Sequence, residues 1–158
     1  MMMKVSYNDV TADCHEPFLL VSNEGGYFLK NLLYKHTRYE GWFSPFSNDD
    51  GWELVKFVHD ICIEHAIEHI SMLPSPTIHY DKGPQVQISI QKHTMQWKVK
   101  NYHGQARIFL DIHHMHDYSD YHRSYNIIEQ TDDITVVEYC KTGQTQYTYY
   151  LAIRSSVP

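Results

Sequence analysis

The pattern of apolar and polar positions changes period once along the chain, near Pro76. Before it, GWELVKFVHDICIEHAIEHISML follows two aspartates and is the longest helix-like run. Stepped at 100° per residue, Leu54, Val58, Ile61, Cys62, Met72 and Leu73 fall on one arc, with His65 and His69 near its middle. Asp49 or Asp50 supplies an N-cap, and Glu53 stands three residues after Asp50 in capping-box position. Pro74 and Pro76 close the run. The spacing predicts a helix over Asp50–Leu73. Ile63, Ile67 and Ile70 lie beside or opposite the main arc, so this helix needs cover on a second side. The N-terminal third or another protein can give that cover, and a homo-oligomer is one form of it.

Beyond Pro76 the period is two. Val86, Ile88 and Ile90 alternate with Gln and Ser, and Met95, Trp97 and Val99 alternate with Gln96, Lys98 and Lys100. Further strands are expected over 107–112, around Ile127 and Ile128, over 134–139 and over 147–153. Their short, Gly-containing connections suit antiparallel hairpins. Upstream, residues 2–7 and 17–22 have strand character, Asn23–Gly26 is a turn, and Tyr27–Tyr34 fits either a short helix, the favoured reading, or a buried strand. Trp42, Phe43 and Phe46 then lie in a loop, where they either lid the core, the commoner outcome, or form a sticky patch. The expected architecture is α+β, one domain over 1–158. The long helix packs on an antiparallel sheet of about five strands, and an N-terminal strand/helix segment covers the other side.

Composition narrows the function more than it names it. A net charge of −6 with no basic stripe disfavours nucleic acid as a partner. No apolar run reaches the ~20 residues of a membrane span, and the first residues lack the apolar core of a signal peptide. Cys14, Cys62 and Cys140 are too few and scattered for a disulfide framework, so a reducing, cytoplasmic setting is expected.

Two stretches carry candidate chemistry. His65-Ala66-Ile67-Glu68-His69 matches the H-x-x-E-H pattern of inverted zinc metallopeptidases, with Glu138 or a residue of the later His-rich loop as a third ligand. That would make a zinc-dependent hydrolase. Against it, such peptidases use larger domains, and both imidazoles point where the sheet should be. The favoured reading is two core histidines forming a pH-sensitive seam, with no metal and no cofactor. The second stretch, His113 to His122, holds four His and two Asp without the fixed spacing of a structural metal site. It reads as an interaction loop. His69-Ile70-Ser71 and His122-Arg123-Ser124 are similar to the paired H-x-T/S signatures of 2H phosphoesterases, but a first motif inside a helix cannot serve. No P-loop, GxGxxG or GxSxG is present.

With no catalytic constellation, a non-enzymatic protein-binding module is expected. Its candidate surface is Trp42, Phe43 and Phe46 with Tyr118, Tyr121, His122 and Tyr125. In its size, slight acidity and lack of an enzymatic motif the chain resembles the small early accessory proteins of T4-like bacteriophages. The resemblance implies an inhibitor or modulator acting in the host cytoplasm on a host protein such as a Lon-type ATP-dependent protease. It carries over no residue.

Overall fold

The computed structural model describes residues 4–7, 10–13, 18–31, 37–49, 51–117, 119–143 and 146–156. The chain divides into two compact units, Met1–His116 and Asp117–Pro158. In the first unit the strands are β1 (Lys4–Tyr7), β2 (Val10–Asp13), β3 (Phe18–Val21), β4 (Tyr27–Lys30), β5 (Gly41–Asn48) and β6 (Gly51–Cys62). They continue with β7 (Ile67–Ser71), β8 (Thr77–Tyr80), β9 (Gln85–Gln91), β10 (Thr94–Lys100) and β11 (Arg107–His114). The second unit holds β12 (Arg123–Gln130), β13 (Ile134–Lys141) and β14 (Tyr147–Arg154).

Among the described residues there is no helix, so the α+β expectation is corrected to all-β. The Asp50–Leu73 segment, whose first residue lies outside the described residues, is β6, a turn at 63–66, and β7. The physical reason lies in the middle of β6. Val55, Lys56, Phe57 and Val58 are all buried, so both faces of the strand are covered and its period-two signal vanishes. What remains is a dense apolar run on which a helical arc can be drawn by coincidence. Its β-branched and aromatic content (Trp52, Val55, Phe57, Val58, Ile61) favours the extended form. At the expected N-cap, Asn48 instead pairs with Gly51, whose φ of 135° suits a hairpin closure. Tyr27–Lys30, where the pattern favours a helix over a strand, is a strand too, and residues 32–34 of that stretch lie outside the described residues.

The six strand runs expected beyond Pro76 all form, but they do not make one sheet of about five strands. Strands β7 to β10 belong to a six-stranded sheet ordered β10-β9-β8-β7-β1-β2, antiparallel except where β1 runs parallel to β7. Strand β11 leaves it to pair with β6 in a five-stranded antiparallel sheet ordered β11-β6-β5-β4-β3. The tip of the β9–β10 hairpin reaches this second sheet, where His93 Nδ1 lies 2.7 Å from Ser44 Oγ and its ring stacks on Phe46 at 4.6 Å. Ile70, Ile78, Val86 and Ile88 form the core of the six-stranded sheet, and Phe28, Phe43, Val55 and Ile112 that of the five-stranded one.

The five-stranded sheet also buries a charge. Lys56 is wholly enclosed, and its Nζ donates to Asp111 Oδ2 at 2.8 Å and sits 2.9 Å from His59 Nδ1. His113 Nε2 is 3.4 Å from the same carboxylate oxygen. Burial pushes the Asp111 carboxyl up, but hydrogen bonds from His113 and Lys56 outweigh it and hold the group well below the usual carboxylate range. Gly41, at φ 109°, lets β5 approach β6 here: a Cβ on it would lie 2.0 Å from the Val58 carbonyl oxygen.

The second unit is a three-stranded antiparallel meander ordered β12-β13-β14. Register places Tyr125, Tyr139 and Tyr149 in one row and Ile127, Val137 and Leu151 in the next. Tyr139, Val137 and Leu151 are buried and give this unit its core.

Candidate functional site

The zinc motif is taken apart by the strand geometry. His65 sits in the turn after β6, where its Nδ1 lies 3.0 Å from Asp81 Oδ1. His69 is on β7, stacked face to face on His79 at 4.1 Å. Residues four apart share a helix face but are separated by roughly 13 Å along an extended chain, too far for one metal ion. The third candidate, Glu138, is on β13 and accepts from Asn126 Nδ2 at 3.3 Å. Among the described residues no group of three or more His, Cys, Asp or Glu is placed to hold a metal.

The H-x-S pairs fare no better. His69-Ile70-Ser71 is on a strand after all, but of the six-stranded sheet, while His122-Arg123-Ser124 opens β12 of the three-stranded one. They are not on adjacent strands.

The aromatic surface divides. Trp42 and Phe43 are core residues on β5, Trp42 tilted against Phe57 at 5.5 Å and Phe43 stacked on Tyr27 at 4.8 Å. Phe46 is half-buried between Phe57 and His93. These three line the fold and not its outside. Tyr121, His122 and Tyr125 are exposed, and Tyr118 lies outside the described residues.

The loop before β12 is organised by a lysine. Lys141 Nζ donates to Asp117 Oδ1 at 2.6 Å and to Ser119 Oγ at 2.7 Å, and Tyr147 OH donates to Asp117 Oδ2 at 3.3 Å. The Lys141 hydrogen bond is the main cause that lowers the Asp117 carboxyl below its ordinary value. Asp117 is thereby committed to holding the loop on the meander, which leaves the His-rich stretch one carboxylate poorer as a metal site.

Once the loop is pinned, strand β12 is left with an open edge. It pairs with β13 on one side, and no described strand pairs with the other. Ile127 is 62% exposed, Ile128 53% and Tyr150 of β14 60%, with Tyr121 and Tyr125 also in solvent. The register shifts between Ile127 and Glu129, which leaves Ile128 without an opposite residue on β13. Sequence reasoning missed Ile127, Ile128 and Tyr150. The available signal was the Ile127-Ile128 doublet itself, since adjacent strand residues point to opposite faces and a three-stranded sheet has core for one face only.

Among the described residues no helix is long and apolar enough to cross a membrane. No protein family matches the chain, and neither a curated protein nor a solved structure shows significant similarity to it.

Proposed function

We propose that this protein acts by binding another protein, through the open edge of β12. The observation that carries the reading is the exposure of Tyr125, Ile127 and Ile128 on a strand whose outer backbone donors and acceptors meet no described strand. Native edge strands are normally blunted by charge, proline or cover, because an open apolar edge invites a further strand. Here the strand carries charge only toward its ends, Arg123 and Glu129, and no proline. An extended segment of a partner would continue the β12-β13-β14 sheet, with backbone hydrogen bonds supplying affinity and the Tyr and Ile side chains specificity. The narrower form of the proposal rests on the likeness to phage accessory proteins. It makes the partner a bacterial host enzyme, with a Lon-type ATP-dependent protease the first to try.

The test is affinity capture from bacterial lysate with the wild-type chain and with an Ile127→Lys/Ile128→Lys variant. Both positions are exposed, so the variant is expected to unfold within ~0.5 kcal/mol of wild type. A partner held by the wild type and lost by the folded variant supports the edge. A partner held equally by both, or none at all, overturns it.

A further inference from the structure

Away from that edge, a cleft of about 370 Å³ opens in the first unit, lined from the turns at 63–66, 81–84 and 101–106. The volume is within the range of small-molecule sites, roughly 300–1,000 Å³. His65 lines it in a fixed pose. Its Nδ1 faces Asp81 Oδ1 at 3.0 Å, and the same oxygen accepts the Ala66 N–H at 3.1 Å. The Asp81 N–H in turn donates to the Ala66 carbonyl at 2.8 Å, tying the two turns together. An ionised carboxylate only accepts, so Nδ1 is the donor of this contact and Nε2 is the ring nitrogen left for a ligand.

Tyr102 forms the adjoining wall, edge-on to His65 at 5.7 Å and 82°. Its hydroxyl donates to the Gln105 carbonyl at 2.9 Å. A Cβ at Gly104 would lie 2.3 Å from that hydroxyl oxygen, so a residue without a side chain lets the ring fold back here. The charges lining the cleft are unevenly committed. Glu64 is held by Arg107 at 2.9 Å and Asp81 by His65. Lys82 also lines the cleft and has no ion-pair or hydrogen-bond partner among the described residues. It stands at φ 65°, a conformation uncommon for lysine.

We propose that this cleft binds a small phosphomonoester, its phosphate bridging Lys82 and His65 and its organic part lying against the Tyr102 ring. Such a phosphate offers anionic oxygens for the ammonium and, for Nε2, an acceptor oxygen if the ring is protonated or a P–OH donor if it is neutral. A carboxylate near neutral pH only accepts, and so matches the protonated ring alone. The site is independent of the β12 edge, so either can fail without the other.

The experiment is a histidine NMR titration of the full chain near the second ionisation of phosphate, about pH 6. The probes are inorganic phosphate, adenosine 5′-monophosphate and adenosine, and His65→Gln assigns the His65 signal. A saturable shift of that signal with both phosphates is expected, with the nucleotide binding more tightly. Lys82→Asn removes the charge with a residue that tolerates positive φ, and is expected to weaken binding about tenfold or more while the circular dichroism stays unchanged. The proposal is overturned if millimolar phosphate and nucleotide leave His65 unmoved, or if Lys82→Asn stays folded and binds as before. Adenosine binding as well as its phosphate, or inorganic phosphate binding where the nucleotide does not, also overturns it.

Discussion

Replacing Lys56 by methionine keeps the aliphatic stem and deletes a charge that is wholly enclosed in the five-stranded sheet. Removing one member of a buried ion pair typically costs about 3–5 kcal/mol, because the other is left uncompensated. Asp111, however, keeps 37% of its side chain in contact with water, which resolvates the orphaned carboxylate. The expected loss is therefore smaller, about 2 kcal/mol. Lys56→Ala deletes three buried methylenes as well, at about 0.8 kcal/mol each before any cavity, and should cost about 4 kcal/mol in all. Urea unfolding at pH 7 of wild type, Lys56→Met, Asp111→Asn and the double variant closes a cycle whose coupling should be about 1–2 kcal/mol. A pH arm checks the sign. The folded Asp111 carboxyl titrates below its unfolded value, so its contribution is complete above about pH 4 and is lost as pH falls through the folded pKa. The gap between wild type and Lys56→Met should narrow over that acid range. A Lys56→Met protein as stable as wild type at pH 7, with no coupling to Asp111, would refute the assignment of the pair as a stabilising contact. An alanine variant no weaker than the methionine one would refute the packing of the stem.

Two further outcomes follow from the same sheets. Gly41→Ala should destabilise by about 3 kcal/mol or more, because its Cβ meets the Val58 carbonyl and the backbone is already at positive φ; a loss under ~1 kcal/mol in urea melts would contradict the close approach of β5 to β6. Burial, and then the neighbouring His69, lowers the His79 pKa below 6.5. The unfolded chain thus binds more protons between that folded pKa and pH ~6.5, and stability should fall as pH drops through this window. The Tm loss between pH 7.5 and 5.5 should be larger for wild type than for His79→Gln; equal losses would place the acid sensitivity elsewhere.

The sequence by itself determined the strands that are buried on one face. Gln85–Gln91, with Val86 and Ile88 buried against exposed or half-buried Gln and Ser, is β9 residue for residue, because one-sided burial leaves its alternation in the chemistry. It also held the turn at Asn23–Gly26, where Gly25 stands at positive φ. What it could not hold was β6. A strand covered on both faces carries no period, and its partners β5 and β11 are separated from it in sequence by unequal distances that no local pattern records. The same blindness governed the candidate sites. His65 and His69 are neighbours only if the backbone is helical, and Trp42 and Phe43 are surface only if β5 is a loop. Their placement, the pairing of His65 with Asp81 and the open edge of β12 were decided by tertiary structure, because each depends on which strands lie side by side. Local sequence sets which faces are apolar; long-range pairing alone decides which of those faces and edges are left for a partner.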